Sequence, residues 1–408
     1  MDFLELENKY IDLILKRCLN FEQSKSLMIH LDLKEHMPFA LKIKERAESL
    51  GISDVCLDVC DLYEYHDYLK KTSLEDIDDN PLLNRSNWDL YAKKGGALLF
   101  INSDIPGLMS DIEIEKQNKA TKIREKNCTY YRSNVTKYTF PWTIVAMPNL
   151  AWANSVFPND SNAYQKLYLK IMKMCMLTEV DPILAWNEFI LKSNYYKEKL
   201  NDLKITELHY QNGLGTDLHI FKNADASWIN LDKTDQSGHT MIANMPSYEI
   251  FTSPDCRYTK GIVYSSRPLI FRGVVIDQFW LKFSDGKVVD FDAKIGKEAL
   301  ADLIYHHENA NLLGEIALVE CDSPIARTNL VFNTTLFDEN ASSHLALGQA
   351  YHLPIHGAEK MSKEELDKIG LNSSPVHVDF MIGTEDMNIE AETQYGRKLI
   401  FKQGRFYL

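Results

Sequence analysis

Apolar positions in the first half of the chain follow two rhythms. "KYIDLILKRCL" and "PFALKIKERAESLG" repeat at helical spacing, the second closing on Gly51. "SLMIHLDL", "SDVCLDVCDL", "GGALLFINS" and "WTIVAMPN" are short apolar runs of the kind that become buried strands. Helices set between such strands predict an α/β layered domain. "SLEDIDDNPLLNRSN" interrupts it as a polar loop, or as a short helix and loop. A helical, aromatic-rich stretch from about Ala163 to Leu203 packs on the domain before a boundary near residue 200.

The second half changes character. "IVYSSRPLIFRGVVIDQFWLKFSDGKVVDFDA" is strand-rich, with Asp285-Gly286 as a hairpin turn between alternating segments. "GKEALADLIYHHENANLLG" reads as a helix with Gly314 as its C-cap. "SKEELDKIGLN" reads as a short helix with a capping box from Ser362 to Glu365 and a stop at Gly370. No internal repeat or low-complexity segment is evident, and this half reads as a mixed α+β domain.

At 408 residues the chain has room for two domains. A net charge of −13 disfavours a nucleic-acid partner. No apolar run approaches the roughly 18 residues of a membrane span, and the acidic start "MDFLELENKY" lacks a signal-peptide layout. Seven scattered cysteines without a CxxC pair point to reduced thiols and a cytoplasmic location.

The candidate chemistry lies where charged residues interrupt apolar runs. In "HVDFMIG", His377 and Asp379 share one face of a predicted strand, because residues i and i+2 point the same way. In "FDENASSHLALGQAY", Asn340 is placed to cap a helix beginning at Ala341, with Glu339 just outside it, His344 in its early turns and Tyr351 at its far end. Glu315 follows Gly314 and opens the strand "IALVE", and Glu249 sits in "MPSYEIFTSPD". Each of these alone reads equally well as a cap, a helix-dipole partner or a half-exposed strand residue. Four carboxylates converge only around a compensating cation, so convergence would imply a metal.

These segments resemble the thermophilic aminopeptidase family of metallopeptidases, the group of aminopeptidases T and S. "NMPSYEIFTSPD", "GEIALVECDSPIA", "NTTLFDENASSHLALGQAY", "MSKEEL" and "HVDFMIG" occur in the family's order and spacing. "PWTIVAMPNLAWANSVFP", "DPILAWNEFI" and "GLGTDLHI" extend the likeness over nearly the whole chain. The resemblance implies an N-terminal α/β domain over residues 1–200, giving access control and dimer contacts. It implies a mixed α+β, metal-binding catalytic domain over 201–408. It also implies a homodimer acting on short peptides with a free N-terminus. Glu249, Glu315, Glu339, His344, His377 and Asp379 would hold two divalent ions (zinc, cobalt, manganese or magnesium), with Glu315 bridging and Tyr351 stabilising the oxyanion. Tyr248 departs from the family, which usually has an acidic residue there, and this leaves the general base open. Two other readings use the same residues: a ring-cleaving dioxygenase of the dihydroxypyridine type with one ferrous ion, and a non-catalytic peptide-binding relative.

Overall fold

The computed structural model describes residues 2–20, 26–78, 80–234, 238–272 and 274–408. The chain divides into two compact units, one of residues 1–187 and 232–246, the other of 188–231 and 247–408.

The first unit is built on a parallel sheet. Strand Trp142–Ala146 pairs with Ala97–Asn102, then Ser26–Leu31, then Asp54–Val59. Asn244–Met245 closes the other edge beside Trp142–Ala146. "SLMIHL" is buried along its whole length, which is why it shows no alternation: both faces of a parallel sheet are covered by helices. Helices Phe3–Leu13 and Met37–Ser49 carry the predicted helical patterns, and Gly51 takes a positive φ just beyond the second. The aromatic-rich stretch forms helices Ala163–Met174 and Pro182–Asp202.

The second unit contains a nine-stranded sheet and a five-stranded antiparallel sheet. They share one core, in which Leu208, Leu218 and Ile220 of the larger sheet meet Ile316, Leu345, Leu347 and Phe380 of the smaller. In the larger sheet the predicted hairpin joins Val274–Ser284 to Lys287–Ile295, with Asp285 at φ 49° and Gly286 at φ 80°. A Cβ at Gly286 would lie 1.9 Å from the Cys256 carbonyl oxygen, so glycine is required by space as well as by conformation. The capping box of helix Lys363–Lys368 forms as predicted, with Ser362 and Glu365 exchanging backbone hydrogen bonds.

The five-stranded sheet runs His377–Met381, His344–Gly348, Leu313–Leu318, Ile250–Thr252, Ile229–Asn230. Two sequence expectations fail in it. The helix at 297 stops at Tyr305, and Gly314 lies inside strand Leu313–Leu318 instead of capping a helix. Gly314 occupies a bulge where a Cβ would come within 2.4 Å of the Gln349 carbonyl oxygen. The helix expected from Ala341 is also absent. The short helical segments Thr335–Asp338 and Glu339–Ala341 end there, and His344 opens a strand instead of sitting in a helix's early turns. Ser342 is extended, and the Ser343 hydroxyl donates to the Val319 carbonyl and accepts from the Val319 amide, so chain entry into the sheet is fixed by tertiary pairing. Local propensity loses to a strand partner on each side.

Candidate metal centre

Period-two alternation places the charged groups. In the antiparallel ladder Asp379 lies opposite Ala346, and Ala346 lies opposite Glu315. His377 lies opposite Gly348, and Ala317 lies opposite His344. Directly opposed residues share a face, so Glu315, His344, His377 and Asp379 project from one side of the sheet. The intervening positions on that side, Ala317, Ala346 and Gly348, are small enough to leave room for them. The other face carries Ile316, Leu345, Leu347 and Phe380 into the core, which holds the strands in register. A one-residue slip would send the charged groups into that core.

Glu249 arrives from the residue before strand Ile250–Thr252. Its carboxylate oxygen lies 3.3 Å from His344 Nε2, and Glu315 Oε1 lies 3.9 Å from the same nitrogen. On the other side His377 Nε2 lies 3.4 Å from Glu315 Oε2 and 3.1 Å from Asp379 Oδ1. Two groups therefore form, Glu249–Glu315–His344 and Glu315–His377–Asp379, each with ligand-type atoms within 4.8 Å of one another. Glu315 belongs to both. It is only 3 % exposed, and its Oε2 is buried with no hydrogen-bond partner.

Each histidine is oriented by the backbone. His344 Nδ1 meets the Ser342 carbonyl at 3.1 Å, and His377 Nδ1 meets the Gln349 carbonyl at 2.7 Å. With Nδ1–H donating to the backbone, each Nε2 points at the carboxylates, and on giving up its proton it presents the lone pair that a metal ligand needs.

Burial and mutual repulsion set the electrostatics. Burial first, opposed by the nearby His377 imidazole and reinforced by the charges of Asp379 and Glu249, pushes the Glu315 carboxyl up to about 7. Burial and then Glu249 and Asp379 hold Glu339 well above the carboxylate range. Burial opposes the imidazolium of His344, but Glu249 outweighs it and lifts His344 to about 10; for His377, Asp379 and Glu315 overcome burial and lift it to about 11. Asp379 is lowered, the field of His377 overcoming the cost of burial. Carboxylates, two oriented imidazoles and an orphaned buried oxygen fit a divalent cation by the chemistry of the donor set.

Glu339 is not in either tight group but feels Glu249, Asp379, His344 and Glu315. Its position is governed by Asn340, which the sequence marked only as a helix cap. Buried Asn340 accepts from the Tyr248 amide at 2.6 Å and donates to the Leu336 carbonyl and to Glu339 Oε1. It therefore ties the residue before Glu249 to Glu339. Tyr248 itself is buried, its ring edge-on to Phe189 at 5.1 Å. Tyr351 follows the His344 strand instead of ending a helix. It is 41 % exposed, with its ring centroid 4.5 Å from that of His377. A further group, His209, Asp217 and His219, forms on the larger sheet. There His209 is hydrogen-bonded to Asp217 and His219 to Glu207, so two side-chain pairs account for it.

The family description "Thermophilic metalloprotease (M29)" matches residues 4–406. The chain belongs to this family. It is accordingly a metal-dependent peptide hydrolase. It is 38% identical over 335 residues to aminopeptidase AmpS of Bacillus subtilis (strain 168), covering 81% of this chain and 82% of that one. It is 35% identical over 404 residues to aminopeptidase 2 of Geobacillus stearothermophilus, covering 98% and 97%. The structure of wild-type AmpT from Thermus thermophilus superposes with a TM-score of 0.88 at 30% identity, covering 99% of both chains. These relatives favour the hydrolase over the dioxygenase reading.

Because Asn340 satisfies a buried amide and a buried carbonyl at once, Asn340→Ala should lower unfolding free energy by about 1–3 kcal/mol. Denaturant unfolding of the purified variant measures this. A loss below about 0.5 kcal/mol, the level of an ordinary surface change, would show that the tie carries no load.

Proposed function

We propose that the protein is an aminopeptidase that releases N-terminal residues from short peptides, using two divalent ions held by Glu249, Glu315, Glu339, His344, His377 and Asp379. The observation that carries the two-ion reading is Glu315: one buried carboxylate belongs to both ligand-type groups and would serve both ions. Zinc, cobalt, manganese and magnesium all suit oxygen and imidazole donors. When bound, such a pair supplies Lewis-acid polarisation of a carbonyl and an activated water.

The chain's own residues do the rest. Asp379 and Glu249 flank the shared carboxylate, and the backbone-anchored imidazoles hold their Nε2 atoms in place. Tyr351, exposed at the edge of the group beside His377, donates its phenolic hydrogen to the scissile carbonyl oxygen as negative charge builds there. Tyr248 supplies no carboxylate, so proton transfer to the leaving amine falls to the carboxylates of the set. The N-terminal domain of residues 1–200 restricts access, and the chain works as a homodimer in the cytoplasm. The family resemblance supports the dimer, and seven free cysteines support a reducing compartment. Sedimentation at the mass of a single chain would overturn the dimer.

Dialysis against a chelator should abolish release of N-terminal residues from an unblocked aminoacyl substrate, and a divalent ion should restore it. Full activity after verified metal removal would contradict the reading. His377→Ala and Asp379→Ala should lose bound metal. Val378→Ala, on the core face, should keep it and cost about 1–3 kcal/mol of stability. Full occupancy in both ligand variants would refute their assignment. Tyr351→Phe should retain metal and fold and lower kcat by about 10²–10³-fold, with a smaller change in KM. A kcat within about twofold of wild type at equal metal content would make Tyr351 a packing residue.

A further inference from the structure

The first unit has a cavity of about 460 Å³ at the carboxyl ends of its parallel strands, where Asp32, Cys60 and Asn102 end or follow three of them. In open parallel sheets this edge is where ligands bind, and the volume suits a small molecule. The peptidase chemistry described above uses none of these residues.

The charges in its wall are unevenly matched. On the acidic side His30 lies between two carboxylates, with Nδ1 2.7 Å from Asp58 and Nε2 3.6 Å from Asp32. Asn87 and Trp88 also donate to Asp58, and the Ser103 amide donates to Asp32. Arg132 at the rim is paired with Glu125 at 3.0 Å. Those charges are satisfied within the protein.

Arg85 and Arg124 are not. Neither has a carboxylate partner among the described residues. Arg85 is 5 % exposed; among the described residues it donates to the Leu82 and Asn84 carbonyls, and its guanidinium lies 5.3 Å from the centroid of the Trp88 ring. Arg124 places its guanidinium 3.7 Å over the Tyr65 ring and donates to the Cys60 sulfur at 3.4 Å, and its Nε is buried without a partner. Burial, and the like charge of Arg85, push the Arg124 guanidinium down from its ordinary value. Two neighbouring cations drawn out of water in a chain of net charge −13 call for an anion. Guanidinium groups suit a carboxylate, which takes two parallel hydrogen bonds. Beside them Trp88 stands edge-on to Phe100 and Tyr131, at 4.8 and 5.1 Å, giving the cavity an aromatic wall.

We propose that this cavity is a binding site for a small organic carboxylate with a flat apolar body, its carboxylate held by Arg85 and Arg124 and its ring against Trp88 and Tyr131. The site is separate from the metal centre in residues and in chemistry.

Calorimetric titration of the full-length, metal-loaded protein with phenylpropionate tests it. Saturable binding is expected, and the uncharged analogue phenylpropionamide should give none. Arg124→Gln should weaken binding about tenfold or more, as loss of a charged hydrogen-bond donor does, and Arg124→Lys should weaken it less. Thr121 is an exposed residue of helix Ile114–Lys126 that lines the cavity, so Thr121→Glu spares the fold and sets a competing carboxylate near the guanidinium groups. It too should weaken binding. Binding at the metal centre is recognised by its persistence in both Arg124→Gln and Thr121→Glu. The proposal is overturned by equal binding of acid and amide, by affinities unchanged in both variants, by no binding at all, or by binding of inorganic phosphate alone.

Discussion

Everything around the candidate metal centre depends on holding like charges together out of water. Burial disfavours the ionised forms of Glu315, Glu339 and Asp379, and the charges of Glu249 and Asp379 press further on Glu315 and Glu339. A sheet solves this mechanically. Its core face of Ile316, Leu345, Leu347 and Phe380 supplies the hydrophobic free energy that keeps the strands paired, and the opposite face must then present whatever the alternate positions carry. The repulsion on one side is offset by packing on the other. The imidazoles reduce it further, and the backbone carbonyls at Ser342 and Gln349 settle which way each ring faces.

How much of this was legible in the sequence varied with the kind of signal. "HVDFM" could be read directly, because two-residue periodicity is a local property and the strand forms where it was expected. The capping box at Ser362 and the Asp285-Gly286 turn are local in the same sense and formed as read. "ASSHLALG" misled because its small residues suit a helix in isolation. What makes it a strand is a neighbour on each side, contributed by residues near 316 and near 380. Gly314 misled similarly: a glycine after an apolar helical run is a stop signal, but here it answers the close approach of the backbone at Gly348 and Gln349. Asn340 carried no signal for its real role, since the amide and carboxylate it ties together are distant in sequence or depend on the fold.

The family resemblance filled the gap between these levels. Periodicity placed His377 and Asp379 on one face, but nothing local placed Glu249 beside His344, which is a matter of sheet order. The return of residues 232–246 to the first unit, as an edge strand beside Trp142–Ala146, likewise had no local announcement, because a two-residue strand leaves almost no pattern.

The sheet order has one more consequence. Strand His377–Met381 stands at the sheet's outer edge, whereas strands Leu313–Leu318 and His344–Gly348 each have a neighbour on both sides. The two ligand groups are therefore unequal in mechanical support. Glu315 and His344 lie on interior strands, and Glu249 directly precedes a third. Glu315, His377 and Asp379 draw two of their three members from the edge strand, which has a ladder partner on one side only. An ion held by Glu315, His377 and Asp379 would tie the last strand to the interior of the sheet.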